Sequence, residues 1–244
     1  MVRLNSYRGD GMKKWGLFII LFIVLTGCRS TSFDGHSVID WVDFIKWDGI
    51  EYDGIYSGVL ADEKYIGEKL GTVKYKVADN VTNPNYKIRN GDAAFHEKGT
   101  EIFTIKGQPN LIAVKDSSQI NGYKVYHSRN VKAQQWHFRN VPIDKVIEVE
   151  IFQLYTAEGN KRLSKYTNRE ELNHILHLLE NGEESPNFQP NTEKGDPDYY
   201  QIILYTDEPI AYKYDVLNDG STYYWYPWDT EILSNEIQSY LKAK

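Results

Sequence analysis

His174 and His177 stand three residues apart, a spacing that on a helix can bring two imidazoles to one metal ion. No third ligand and no His-Glu-x-x-His accompany them, and on a helical wheel they lie opposite the apolar residues of their segment, so a solvated face is expected. His96, His127 and His137 fall in strand-like or loop segments at spacings that carry no ligand rule. Acidic pairs are plentiful: Asp62 with Glu63, Glu183 with Glu184, Asp196 with Asp198. A glycosidase needs two carboxylates about 5–10 Å apart, so a glycan hydrolase using paired carboxylates is the alternative reading of this chain. Glu193, Asp196 and Asp198 offer oxygens to a calcium ion but lack EF-hand spacing, so a solvated loop is expected there. Gly54-Ile55-Tyr56-Ser57-Gly58 has the wrong offset for a nucleophile elbow, and Ser239-x-x-Lys242 sits at the C-terminus without a Lys-Thr-Gly. Neither phosphate-cradling glycine pattern occurs. No catalytic residue, cofactor or metal site is assigned, and the chain reads as a non-enzyme.

The densest feature is aromatic. In "YKYDVLNDGSTYYWYPW", Tyr212 and Tyr214 alternate onto one strand face, as do Tyr224 and Tyr226, while Tyr223 and Trp225 take the other and Trp228 closes the run. A sheet under a helix needs rings for its core. Two aromatic faces on one hairpin are hard to bury entirely, so one face is expected to stay accessible and to bind a protein or glycan of the envelope through Tyr212, Tyr214, Tyr223, Tyr224, Trp225, Tyr226 and Trp228.

Before the fold comes an oily leader. Its uninterrupted apolar part, Trp15 to Leu25, would reach only about 17 Å as a helix, against a bilayer core of roughly 30 Å. Lys13 and Lys14 precede it and Thr26 and Gly27 follow, the order of a secretory signal over residues 1–27, with a possible start at Met12. The segment ends in Leu25-Thr26-Gly27-Cys28, which resembles the lipobox of bacterial lipoproteins. The resemblance implies cleavage between Gly27 and Cys28, diacylation of the Cys28 thiol, and anchoring on the extracytoplasmic face of the cell membrane; two acyl chains hold where one does so only marginally. Cys28 is the only cysteine, so no intramolecular disulfide can form. The whole chain carries 28 Lys and Arg against 34 Asp and Glu; without Arg3, Arg8, Lys13, Lys14 and Asp10 the balance is 24 against 33, a net of −9 that repels nucleic acid.

Residues 28–36 are small and polar and read as a tether. Asp48-Gly49 between Trp47 and Ile50 predicts a hairpin, and "TVKYKVA", "EIFTIKG", "NLIAVKD" and "YKVYHS" read as strands between Gly-, Pro- and Asn-rich turns. From residue 141 the pattern changes to strands, then a helix opened by a Thr167-x-x-Glu170 capping box with Leu172, Ile175, Leu176 and Leu179 on one face, then three strands. A closing helix capped by Asp229 or Thr230 would align Leu233, Ile237, Tyr240 and Leu241. The fold class is therefore α+β and mostly antiparallel: a small barrel-like β domain over residues 37–140, then an antiparallel sheet with two helices over 141–244. The stretch "NGDAAFHEKGTEIFTIKGQPNLIAVK" is similar to a segment of poorly characterised lipoproteins of bacilli, which implies a location and a β fold but no chemistry.

Overall fold

A computed structural model describes residues 39–131, 137–157, 159–193 and 195–243. The leader, Gly27, Cys28 and the tether lie outside the described residues. Ile39–Lys244 forms one compact unit built on two sheets.

The first sheet uses β1 (Phe44–Trp47), β2 (Ile50–Gly54), β4 (Ile66–Thr72), β5 (Tyr75–Lys76), β6 (Asp92–Ala93), β7 (Glu101–Ile105), β8 (Gln108–Lys115) and β9 (Tyr123–Ser128), in the order β4-β7-β8-β9-β2-β1-β6-β5. Among the described residues only β5 and β6 pair in parallel. The sheet curls as an open half-barrel with β4 and β5 at its edges, rather than closing into a barrel. Asp48 and Gly49 turn β1 into β2 with φ values of 46° and 76°, the left-handed backbone that this dipeptide adopts more readily than most. Ile45, Ile102, Ile112, Val114 and Tyr126 pack together on one face of the sheet.

The second sheet runs β11-β10-β13-β14-β15-β16-β12 and uses β10 (Glu148–Thr156), β11 (Gly159–Tyr166), β12 (Glu183–Glu184), β13 (Asp198–Tyr205), β14 (Ile210–Asn218), β15 (Tyr223–Trp225) and β16 (Glu231–Leu233). One helix, α1 (Arg169–Glu180), covers it. Asn168, one residue beyond the expected threonine, caps α1 by accepting from Glu170 N at 2.9 Å and Glu171 N at 3.2 Å. Leu172, Ile175, Leu176, Leu178 and Leu179 are buried against Val149, Ile151, Ile202 and Leu204 of the sheet.

Among the described residues no second α-helix closes the chain. Glu231–Leu233 pairs with β15 instead, and Asn235–Ser239 is a short 3-10 helix capped by Ser234. The four-residue spacing of Leu233, Ile237 and Leu241 is real, and all three are buried. It serves a strand end and a turn because the open edge of β15 offers backbone partners that a short isolated helix would have to supply alone.

The sheets meet through β3 (Gly58–Leu60), which is continuous in sequence with the first sheet but pairs with β14 of the second, Leu60 opposite Ile210 and Gly58 opposite Tyr212. Its residues split between two clusters: Leu60 packs with Ile55, Val125 and Ile210, and Val59 with Ile203, Tyr205 and Ala211. The expected boundary near residue 140 thus falls between the sheets, while backbone pairing ties them into one unit.

Candidate binding groove

Five of the seven rings in the aromatic run are core. Tyr212, Tyr214, Tyr223 and Trp225 point into the cluster beneath α1, where Trp225 has no exposed surface and Phe138 sits edge-on against both Tyr214 and Trp225, at 5.6 and 4.6 Å between centroids. Tyr224, on the opposite face, is covered by Phe188 at 4.9 Å from the loop after β12 and by the edge of Tyr226 at 6.0 Å. An accessible aromatic face is therefore not what this hairpin presents. Only its last two rings remain open, Tyr226 at 53% and Trp228 at 69% exposure.

Trp228 stacks on His137, 4.6 Å between centroids and 23° between planes. His137 is held by its own backbone role: it caps the 3-10 turn Phe138–Asn140, with Nδ1 accepting from Arg139 N at 3.1 Å. That contact occupies the Nδ1 lone pair, so the neutral ring carries its proton on Nε2. Burial, and then the neighbouring Arg139, lower the His137 pKa against the pull of Asp229.

His137 lines a groove of about 750 Å³ between residues 137–144, α1 and the turn from Pro227 to Glu231. Arg169 braces its wall by donating to the carbonyls of Val146 at 3.1 Å and Asp144 at 3.4 Å. Glu231 sits inside with its pKa raised by burial, although Trp225 Nε1 donates to it at 3.2 Å; Glu184, its direct partner across β12–β16, raises it further. Gly182 lies so close that a Cβ there would come within 2.4 Å of Glu231 Oε2, so the carboxylate packs against bare backbone. Exposed Arg139 adds a cation at the rim. A ring platform, a cation and a half-buried carboxylate equip this groove to hold a chain that is part apolar and part hydrogen-bonding.

The other expected site residues are dispersed. His174 Nδ1 lies 2.5 Å from Tyr240 Oη and its Nε2 is 3.6 Å from Glu236, while His177 meets Asn181; both imidazoles are on the exposed face of α1. His127 Nδ1 lies 3.3 Å from the Ser128 carbonyl. Asp62 caps a turn by accepting from Lys64 N at 2.8 Å, and Glu63 accepts from Tyr123 Oη at 3.1 Å. Among the described residues no group of three or more His, Cys, Asp or Glu could hold a metal ion. His137, Arg139 and Glu231 were not legible as site residues, since no local pattern links position 137 to position 228; the only signal was that histidine can cap a turn.

A buried charged cluster lies in the first sheet. The Asp43 side chain, 1% exposed, is 2.5 Å from Lys124 Nζ through Oδ2 and accepts from Tyr126 Oη at 2.9 Å through Oδ1. The Oδ2 contact is ionic, without hydrogen-bond alignment. Because Tyr126 donates to Asp43, its oxygen is left to accept from His96 Nε2 at 2.7 Å, which requires a protonated Nε2. Burial lowers the His96 pKa, aided by Lys124 and Lys76 and opposed by Asp43 and Asp116. A depressed folded pKa means the fold favours neutral His96. That stability is present above the unfolded value near 6.5 and is lost as the pH falls through the folded one. Urea melts between pH 7 and 5 should therefore show falling stability, and His96→Gln should flatten that fall. The Asp219 carboxylate, held at about 2 by hydrogen bonds from Asn191, Ser221 and Thr222 despite its partial burial, acts only in a more acid window.

No protein-family model, no curated protein and no solved structure matches this chain.

Proposed function

We propose that this protein is a lipid-anchored extracytoplasmic binding protein of the cell envelope, tethered through Cys28 and engaging an envelope protein or glycan through the groove beside Trp228. The leader pattern, the Leu25-Thr26-Gly27-Cys28 box and the solitary cysteine support the anchor. Among the described residues no helix is long and apolar enough to cross a membrane. An acidic balance speaks against nucleic acid. On this reading the curled first sheet is a barrel-like module between tether and binding sheet.

One observation carries the binding role. Trp228 keeps 69% of its surface exposed, stacked on a histidine beside a groove, although the same run buries five other rings. A ring left out of a core that absorbs its neighbours costs exposed apolar area unless something else covers it. In envelope pull-downs with the full chain in detergent, Trp228→Ala should weaken partner retention by about 2 kcal/mol, roughly 30-fold, while leaving the melting temperature nearly unchanged. Undiminished retention by the variant would refute the groove. Mass spectrometry of Cys28 tests the anchor separately: two acyl chains on the sulfur are expected, and a bare thiol would refute it.

The hydrolase reading has one geometric point in its favour, the facing carboxylates of Glu184 and Glu231 with Glu231 raised by burial. Turnover of a glycan that Glu231→Gln abolishes would favour it over binding alone.

A further inference from the structure

The β10–β11 hairpin carries a feature the aromatic run does not share. Between Gln153 and Thr156 the register with β11 slips, and at this irregularity Tyr155 adopts φ 57°, a left-handed conformation uncommon for a bulky side chain. The residue is 81% exposed, the largest exposure among the large hydrophobic residues described, yet its ring is not loose: the Tyr199 ring supports it edge-on at 5.3 Å and 89°. Both rings line a groove of about 790 Å³ whose other walls mix apolar Leu154 and Pro197 with polar groups, among them Gln153 and Lys161 from the hairpin and Asp196 and Asp198 at the start of β13. Among the described residues neither Asp196 nor Asp198 has an ion-pair partner.

We propose that this groove is a carbohydrate subsite for an uncharged hexopyranose oligomer, with Tyr155 as the stacking platform and Asp196, Asp198, Gln153 and Lys161 as hydrogen-bonding partners of the sugar hydroxyls. The chemistry selects the class. A pyranose presents a C–H face that packs on a flat ring and an equatorial belt of hydroxyls that need both acceptors and donors, and the groove supplies a braced ring, two carboxylates, an amide and an ammonium. A protein partner would call for a fully desolvated apolar centre, whereas here the two rings, Leu154 and Pro197 are interleaved with carboxylates, an amide and an ammonium, the mixture that a sugar's alternating C–H and hydroxyl surface matches. Among the described lining residues two carboxylates stand against one ammonium, a net negative charge that disfavours anionic glycans. The subsite does not rest on the Trp228 groove and stands or falls separately.

The full chain in detergent is titrated with chitotetraose, with cellotetraose and, as the anionic counterpart, with a hyaluronan tetrasaccharide, by calorimetry. Saturable binding of at least one neutral oligomer and none of hyaluronan is expected. Tyr155→Gly should weaken that binding at least tenfold without lowering the melting temperature, because glycine accepts the left-handed backbone that tyrosine adopts there; Tyr199→Ala should also weaken it. Phe95→Ala, an exposed ring outside both grooves, should leave it unchanged. Absence of binding by both neutral oligomers, equal affinity for hyaluronan, full affinity in Tyr155→Gly, or loss of binding in Phe95→Ala would each overturn the proposal.

Discussion

Asp43→Ala should destabilise the protein by about 3–5 kcal/mol, because it strands the ammonium of Lys124 in the interior. The Lys124 side chain is 20% exposed, packs over the Tyr56 and Tyr126 rings, and has Asp43 as its ion-pair partner among the described residues. Removing the carboxylate also leaves the Tyr126 hydroxyl, fully buried, without its acceptor. The backbone is fitted to this carboxylate as closely as the side chains are: Gly54 N donates to the Asp43 carbonyl at 3.0 Å, and a Cβ on Gly54 would stand 2.5 Å from Asp43 Oδ2. The loss is asymmetric. Replacing both ends of the pair by apolar groups of similar volume, as in Asp43→Leu with Lys124→Met, should recover most of it, since the penalty arises from one unpaired charge rather than from a missing attraction. Urea denaturation of the single and double variants checks this. A cost below about 1 kcal/mol for Asp43→Ala would mean that water reaches Lys124 and that the cluster is not an interior one.

Trp225→Ala should cost about 3–5 kcal/mol and lower the melting temperature by roughly 6–20 °C. The indole is wholly enclosed, with Phe138 and Tyr214 edge-on to it, and no described neighbour can fill the space left by a double ring. The same substitution reaches the groove. Phe138 shares the 3-10 turn that His137 caps, and Glu231 loses the Nε1 donor, so the ring platform and the carboxylate are both released. Binding through the groove should fall along with stability in Trp225→Ala. In Trp228→Ala binding should fall alone, and comparing thermal melts of the two variants separates a ring that builds the fold from one that uses it.

That separation marks where sequence reasoning reached its limit. The strands around the aromatic run are readable from alternation, and α1 from its apolar stripe and cap, with the capping residue displaced by a single position. The Asp48-Gly49 turn is readable because few other dipeptides accept two left-handed residues. What alternation cannot say is what lies above each face. Tyr224 is covered by Phe188 from a loop 36 residues upstream, and Trp225 by Phe138 from across the chain, contacts with no periodic trace in the sequence. β3 is three residues long and draws its stability from β14, about 150 positions away, so nothing local announces it. The closing segment shows the reverse: its spacing of four among apolar residues reports genuine burial, but its first residues pair with the edge of β15 as a strand. Beside the candidate groove, Trp228 is legible as an aromatic at the end of a strand run. Its histidine partner is not, since the stack joins residues 91 positions apart.

The most direct test of the account is site-specific photo-crosslinking with p-benzoyl-phenylalanine at position 228, with the full chain in cells of its host and the same reporter at exposed Phe95, just beyond β6, as the comparison. A discrete adduct from position 228 that is absent from position 95 is predicted. No adduct at 228, or an identical set from both positions, would contradict a binding groove beside Trp228.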